Sequence, residues 1–384
     1  MRRVLTARLT TGDRLGRDVY ANEEALPLLR AGVRLSDGFR QSLLRAGVTE
    51  VWIDDGISEG VEPIEVLSES TKQQAKKAIR DAFAHLSHSL AYGGTLELAD
   101  TADEMRDVAE LIVHDVTTNV HSALALNDLA TADGYTMKHS LAVTTLGLSL
   151  GMRVMRKHGW GDADGQQRFD GVEERLTTLG VGLLLHDIGK LAVPSDILQK
   201  PGPLTEDEWV IMRSHPVLGF QILLKANGIS PLARAVVRSH HERWNGQGYP
   251  DQRSGKRIHQ FARIAAVADV FDALTSDRPY RRAMPTHAGY DFIVERGGSD
   301  FDPQVVEVFR SCVAPFPPGT GVVLSDGSCA LVKAVHLDAV KSPLVRIIVD
   351  PSGAMVPPRD VDLACSPGLT ITATDFEVPT MAPA

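Results

Sequence analysis

Histidine and aspartate residues recur in short motifs through the middle of this 384-residue chain, and their types and spacing suit metal binding. The motifs are HDIGK at residues 186–190, RSHP at 213–216, RSHHERWNGQGYP at 238–250 and ADVFDALTSDRPYR at 268–281, with His139 upstream. A His-Asp pair at the end of an apolar helix is costly to bury unless another group satisfies both side chains. Imidazole and carboxylate ligands without a nearby thiolate suit iron, manganese or zinc, and they disfavour a structural zinc site.

These residues divide into two candidate sets of metal ligands. One ion would bind His139, His186, Asp187 and Asp269, and a second would bind His215, His240 and His241, with Asp187 bridging the two. Two ions close together can stabilise both the attacking and the leaving oxygen of a phosphoester. Each residue alone is weak evidence, because a single histidine in an apolar helix is more often a hydrogen-bonded core residue.

The four motifs, in this order, resemble the HD-GYP family of bacterial phosphodiesterases, a branch of the HD metal-dependent phosphohydrolases. The resemblance covers residues 126–312, about half of the chain. It implies that the seven side chains of the two sets are the metal ligands and that the ions are iron or manganese. Some family members hold a third ion through a glutamate one helical turn before the first histidine. Tyr135 stands at that position here and cannot replace a carboxylate, so we predict two ions.

The resemblance also implies catalytic residues and phosphate contacts. Lys190 lies one turn past Asp187, where its ammonium would neutralise a phosphate, and the predicted catalytic group is Lys190, Asp187 and His186. Arg278 and Arg281 flank Pro-Tyr in the last motif and are predicted to bind substrate. Their guanidinium forks suit phosphate oxygens.

Two further residues are predicted to contact substrate. Asp272 follows Asp269 by three residues on the same helix face, where it would either orient a metal ligand or contact a guanine. Tyr249 ends the NGQGYP loop, whose glycines permit positive φ angles in a tight turn. A structural role for this loop, in which it fixes the paired histidines and shapes the pocket, is at least as well supported as direct catalysis.

The resemblance implies hydrolysis of cyclic di-GMP, a dianionic bacterial second messenger, to linear pGpG; whether a second cut to GMP follows stays open. Three alternatives stay open: a catalytically silent cyclic-dinucleotide receptor or scaffold, a phosphodiesterase for a mixed cyclic GMP-AMP dinucleotide, and a di-iron oxygenase. The complete ligand set argues against the first, and the RPYR stretch with the paired histidines argues against the last. Diguanylate cyclases or effector proteins would be partners, and a homodimer stays open.

Helical periodicity dominates the elements that must position these residues. Apolar residues recur at spacings of three and four through residues 130–310, which predicts a mainly α fold built on an all-helical HD-type catalytic bundle over residues 126–312. Residues 1–60 are predicted to form a small α+β regulatory domain, with Ser36 as a helix N-cap. Residues 61–125 are predicted as linker and helical connector, and residues 313–384 as a β-rich extension and tail.

The charge distribution favours a small anionic ligand. A net charge of −9 and 5% aromatic residues disfavour binding of a nucleic-acid polymer. The segment from Arg234 to Arg282 nevertheless holds ten basic and five acidic residues, and we expect it to attract a dianionic dinucleotide. Three cysteines without metal-ligand spacing, no apolar signal-peptide core and no run long enough to span a bilayer predict a cytoplasmic protein without a membrane partner.

Overall fold

The computed structural model describes residues 1–20, 27–48, 50–92, 99–119, 124, 135–162, 164–276 and 283–374. Its helices are α1 (Asp37–Arg45), α2 (Glu69–Tyr92), α3 (Ala99–Thr118), α4 (Tyr135–His158), α5 (Val172–Leu184), α6 (Ser195–Leu198), α7 (Glu206–Met212), α8 (His215–Leu224), α9 (Pro231–Ser239), α10 (Gln260–Thr275), α11 (Thr286–Glu295) and α12 (Pro303–Cys312). Its strands are β1 (Arg2–Leu5), β2 (Glu50–Ile53), β3 (Trp160–Gly161), β4 (Gln167–Arg168), β5 (Gly321–Leu324), β6 (Cys329–Ala334), β7 (Leu344–Val349), β8 (Met355–Asp362) and β9 (Ile371–Ala373). This architecture confirms the predicted mainly α class. None of the helices so described has the length and apolarity needed to cross a membrane.

The N-terminal segment forms the small α+β unit that its sequence predicts. Strands β1 and β2 pair antiparallel, and Leu43 of α1 joins Leu15 and Val51 in a separate core. The hydroxyl of Ser36 accepts a hydrogen bond from the backbone N–H of Phe39 at 3.3 Å, so the predicted N-cap is present. This cap satisfies one of the N–H groups left without a partner in the first helical turn.

One continuous hydrophobic core occupies the helical body. It runs from Val66, before α2, to Val313, after α12, and it includes Met105 of α3 and Phe271 of α10. Helix α3 packs directly on α5, whose end carries the HDIGK motif. The segment predicted as a connector, residues 61–125, therefore contributes two helices to the core that supports the motif-bearing helices.

Glycines inside the central helices allow these helices to approach closely. A Cβ on Gly147 or Gly151 of α4 would lie 2.7 Å or 2.6 Å from a leucine side chain of α5. A Cβ on Gly182 of α5 would likewise lie 2.8 Å from the side chain of Val236 in α9. Larger residues would separate α4, α5 and α9, so the glycines let residues at the ends of these helices share one site.

The apolar residues between positions 206 and 224 belong to two separate helices. Helix α7 ends at Met212 and α8 begins at His215, with Arg213 and Ser214 between them. Pro216 stands in the first turn of α8, where its missing N–H costs no helical hydrogen bond, whereas inside a continuous helix it would break one. The break places His215 at the start of a helix.

The residues after α12 form a five-stranded antiparallel sheet in the order β8-β7-β6-β5-β9. Strands β5, β6 and β7 are the apolar runs that predict a β-rich extension, whereas β8 contains two consecutive prolines. Prolines are tolerated there because β8 is an edge strand. The sheet packs on the N-terminal part of the chain, where Leu331 and Ile348 share a cluster with Ile57 and Val61.

The HDIGK motif follows a tight path directly against α8. After α5 ends, residues Ile188–Ala192 form 3-10 turns. A Cβ on Gly189 would lie 1.9 Å from the carbonyl oxygen of His215 and 2.5 Å from the amide nitrogen of Gly219. Backbone atoms cannot move aside as a flexible side chain does, so this close approach requires glycine.

Gly189→Ala is therefore expected to push α8 away from the end of α5 and to destabilise the protein by about 1–3 kcal/mol, the cost of overpacking a close-packed interior. Gly161→Ala is the matched control, because a Cβ added there meets nothing within 4 Å. Thermal unfolding of both variants checks the prediction. Equal melting temperatures for the two variants would contradict it.

Candidate metal centre

The seven residues predicted as metal ligands lie together where several helices meet. They come from α4, from the turns after α5, from the start of α8, from the turns after α9 and from α10: His139, His186, Asp187, His215, His240, His241 and Asp269. Only His241 among them is partly exposed. A buried polar side chain is costly unless it has a partner, so these seven must bind one another or a common ion.

The donor atoms form two clusters. In the first, His139 Nε2 lies 3.3 Å from His186 Nε2 and 3.2 Å from Asp269 Oδ1. In the second, His215 Nε2 lies 3.3 Å from His240 Nε2. The second cluster is completed by His241. Donor atoms within each cluster lie within 4.8 Å of one another, so each cluster could hold one ion.

The carboxylate of Asp187 lies between the two clusters and faces both. Its Oδ2 is 3.4 Å from His186 Nε2 and 3.6 Å from His139 Nε2, in the first cluster. Its Oδ1 is 3.3 Å from His215 Nε2 and 4.0 Å from His240 Nε2, in the second. One oxygen directed to each cluster is the arrangement expected of a bridging ligand.

Backbone carbonyls orient three of the histidines. The Nδ1–H groups of His186, His215 and His240 donate to the carbonyl oxygens of Leu183 at 2.7 Å, Met212 at 2.8 Å and Val237 at 3.0 Å. Burial lowers the pKa of His215 and of His240, so these two rings are neutral and present unprotonated Nε2 atoms, which face each other at 3.3 Å. Facing lone pairs repel each other unless a cation is shared between them, so this donor set fits a metal ion.

His139 is oriented by a carboxylate instead. Its Nδ1–H donates to Asp272 Oδ2 at 2.6 Å, and the other oxygen of Asp272 accepts from the Ser276 hydroxyl at 2.9 Å. Asp272 is buried, with one oxygen bonded to His139 and the other to Ser276. These contacts favour the predicted role in which it orients a metal ligand, and the predicted substrate contact stays a prediction.

Lys190 is held against the carboxylate shared by the two clusters. Its Nζ donates to Asp187 Oδ2 at 2.5 Å, and its side chain is 24% exposed, so the ammonium lies between the buried site and solvent. Burial opposes ionisation of Asp187, but the charges of Lys190 and then His186 outweigh burial and hold the pKa of this carboxyl well below its usual range. Asp187 is therefore ionised and available as a ligand.

The loop after α9 folds back on its own histidines. The ring of Tyr249 stacks on that of His241, with centroids 4.7 Å apart and 27° between planes. Gly246 has a φ of +82°, as a tight turn requires, whereas Gly248 is needed for space, because a Cβ there would lie 2.5 Å from the His241 carbonyl oxygen. The buried carboxylate of Glu242 accepts two backbone N–H groups farther along, at 2.7 Å and 3.1 Å. These contacts support a structural role for the loop.

Some predicted features lie outside the part of the chain that the structure describes. Arg278 and Arg281 belong to residues 277–282, which are not among the described residues, so their role stays a prediction. Tyr135 begins α4, and its side chain also lies outside the described part.

Part of the positive charge expected to attract an anion is neutralised locally. Arg238 donates to both oxygens of Asp251 at 2.9 Å and 2.7 Å, which ties the loop after α9 to that helix. Arg263 of α10 pairs with Asp302 at the start of α12. These arginines stabilise the fold, so the count of basic residues in the segment overstates the charge available to a ligand.

Sequence reasoning assigned no role to Arg213, which the structure places near the site. Its guanidinium carbon lies 5.7 Å from the centroid of the Tyr249 ring. The available signal was its position in the RSHP motif, two residues before His215.

Two histidines of the site have opposite pKa shifts. For His139, burial lowers the pKa, but hydrogen bonds to Asp269 and Asp272 outweigh burial and raise it to about 9. For His240, burial and the charges of neighbouring imidazoles lower the pKa to about 3. At neutral pH the ring of His139 is therefore a protonated imidazolium, whereas the ring of His240 is a neutral imidazole.

A metal ion that binds the first cluster must displace the proton of His139. Below pH 9 we therefore expect its apparent affinity to rise about tenfold per pH unit, with release of one proton from this residue. Calorimetric titration with Mn²⁺ at about pH 8, where a lower pKa of His139 changes its bound protons appreciably, measures the released protons in buffers of different ionisation enthalpy. Asp272→Asn should release fewer, because it removes one cause of the raised pKa. Equal proton release by the variant and the wild type would contradict this prediction.

Comparisons with known proteins are consistent with this geometry. A model of the HD domain family matches residues 167–305. Cyclic di-GMP phosphodiesterase PA4108 of Pseudomonas aeruginosa is 32% identical to the chain over 360 residues, which is 88% of this chain and 82% of that protein.

Two other relatives match over shorter segments. Cyclic di-GMP phosphodiesterase response regulator RpfG of Xanthomonas campestris is 43% identical over 136 residues, 35% of this chain and 36% of that protein. The 3'3'-cGAMP-specific phosphodiesterase 2 of Vibrio cholerae is 39% identical over 125 residues, 32% of this chain and 24% of that protein. Because the match to the Pseudomonas protein extends over most of both chains and the motifs occur in order, the chain belongs to the HD-GYP family of HD-domain phosphohydrolases.

Proposed function

We propose that the protein is a metal-dependent phosphodiesterase that hydrolyses cyclic di-GMP to linear pGpG and, after a second cut, GMP. The observation that carries this proposal is the carboxylate of Asp187, which directs one oxygen to each of two histidine clusters. A shared ligand of this kind supports two ions close enough to act on one phosphodiester. The name of the Pseudomonas relative, which matches over most of its length, supports cyclic di-GMP as the substrate.

The proposed metal ligands are the seven clustered side chains. The first ion would bind His139, His186 and Asp269, the second would bind His215, His240 and His241, and both would bind Asp187. Nitrogen and oxygen donors without thiolate suit iron or manganese. When bound, two such ions supply a nucleophile from water at neutral pH and stabilise the attacking and leaving oxygens. Tyr135, in place of a glutamate, supports two ions over three.

The exposure of the site supports one direction of substrate approach. His139 and His240 are closed off from solvent, whereas the side chains of His241 and Lys190 are 18% and 24% exposed. A phosphodiester would therefore enter on the side of His241 and Lys190. Burial of the inner histidines keeps bulk water away from them and so strengthens their electrostatic interactions.

Lys190 is proposed to bind a phosphate oxygen of the substrate. Its ammonium is fixed on Asp187 at 2.5 Å and keeps further N–H donors for an anion. A positive charge that is already in place where negative charge develops lowers the barrier without reorganisation. Arg278 and Arg281 are proposed as additional phosphate contacts, on the chemistry of the guanidinium group and their place in the family motif.

A mixed cyclic GMP-AMP dinucleotide is the second candidate substrate. The observation in its favour is the Vibrio relative named as a 3'3'-cGAMP-specific phosphodiesterase, at 39% identity over 125 residues. The longer match to a cyclic di-GMP phosphodiesterase favours the first candidate. The ratio of kcat/KM values for the two dinucleotides decides between them.

Protein loaded with Mn²⁺ or Fe²⁺ is expected to convert cyclic di-GMP to pGpG, and Lys190→Met is expected to lower kcat about 100-fold. The variant should retain its metal, because Lys190 is not a proposed ligand and bound ions would themselves compensate the charge of Asp187. Chromatography of the products and elemental analysis measure the two effects.

The matched control is Lys225→Met, which changes an exposed lysine after the end of α8 and should keep wild-type activity. If metal-loaded wild-type protein leaves cyclic di-GMP intact, the proposed function fails.

A further inference from the structure

Helix α7 presents apolar side chains to solvent just before the proposed ligand His215. Trp209 is 47% exposed, Val210 is 70% exposed, and Ile211 is also exposed. No residue of this helix is buried. Of these three side chains, Trp209 alone offers a flat aromatic face on which a ligand can stack.

Arg213 lies one helical turn after Trp209, and its guanidinium lies over two aromatic rings. Its guanidinium carbon is 5.8 Å from the centroid of the Trp209 ring and 5.7 Å from that of Tyr249. Within the described part of the chain no carboxylate pairs with Arg213, in contrast to Arg238, which Asp251 neutralises. An exposed guanidinium without a carboxylate partner is available to an anion.

These side chains connect the surface to the proposed metal centre. Tyr249 stacks on His241, with 4.7 Å between ring centroids. From the centre outward the order is therefore His241, Tyr249, Arg213 and Trp209. The row combines flat aromatic faces with one positive charge, on the side of the site from which a phosphodiester would enter.

We propose that Trp209 and Arg213 form an outer subsite for a purine nucleotide, in which the base stacks on the indole and a phosphate binds the guanidinium. The inference rests on the proposed function and extends it. A cyclic dinucleotide with one phosphodiester at the metal centre still carries a second phosphate and two bases that need contacts. Stacking on an aromatic ring tolerates either purine, and arginine binds phosphate oxygens through paired N–H donors.

Trp209→Ala, with Val210→Ala as its matched control, tests the subsite. Both residues are exposed on the same helix, so both variants should fold, and thermal unfolding verifies this. Trp209→Ala is expected to raise KM for cyclic di-GMP about tenfold with little change in kcat, because it removes a stacking face. Hydrolysis of bis(p-nitrophenyl) phosphate, a diester without a purine, should be unchanged.

Arg213 variants test the phosphate contact separately. Arg213→Gln should raise KM for cyclic di-GMP without lowering metal content, and Arg213→Lys should restore part of the affinity because it restores the charge. Equal KM values for the glutamine variant and the wild type would overturn the proposed phosphate contact.

Equilibrium binding gives a readout that does not depend on turnover. Calorimetric titration of metal-loaded protein with a non-hydrolysable phosphorothioate analogue of cyclic di-GMP should show about tenfold weaker binding for Trp209→Ala than for Val210→Ala. Equal binding by the two variants, or no binding by the wild type, would overturn the subsite. A changed oligomeric state in both variants with unchanged KM would also overturn it, in favour of a protein interface. Failure of the wild type to hydrolyse cyclic di-GMP would refute the proposed function, and the binding comparison would still decide the subsite.

Discussion

A single buried carboxylate, Asp187, imposes the constraint on which the rest of the site depends. It is 1% exposed and carries its charge, and a buried charge is strongly unfavourable unless other groups compensate it. The compensating groups come from separate parts of the chain: Lys190 and His186 from the turns after α5, and His215 from the start of α8. The fold must therefore bring the end of α5 and the start of α8 together. This contact also places His215, and with it the second cluster, next to Asp187.

Hydrogen bonds at helix ends and glycines at helix contacts together bring these segments of the chain into one site. The last carbonyl groups of an α-helix lack intrahelical partners, and carbonyls at the ends of α5, α7 and α9 accept the Nδ1–H groups of the three histidines that follow those helices. One set of hydrogen bonds thus satisfies the helix ends and aims the Nε2 atoms inward. Gly189 and Gly182 provide the close backbone approach that this arrangement needs.

Sequence patterns predict which residues gather at the site because polar interruptions of apolar helices are conspicuous, as in His186–Asp187. They do not predict contacts between distant segments. On helical spacing alone Asp272 could face either a metal ligand or a guanine, and its 2.6 Å contact with His139 favours the first role. The basic segment likewise suggests a free positive charge, whereas the pairing of Arg238 depends on how a later loop folds back. The sequence does not predict strand β8, because its two prolines are acceptable only at a sheet edge and the sequence does not show which strand lies there.

The metal content of Asp187 variants tests the account most directly. Elemental analysis of anaerobically purified wild-type protein should find two iron or manganese ions per chain. Asp187→Ala should lose both ions, because both clusters share that ligand, whereas His241→Ala should disturb only the second cluster and keep about one ion. Two ions retained by Asp187→Ala, or three ions in the wild type, would contradict the account.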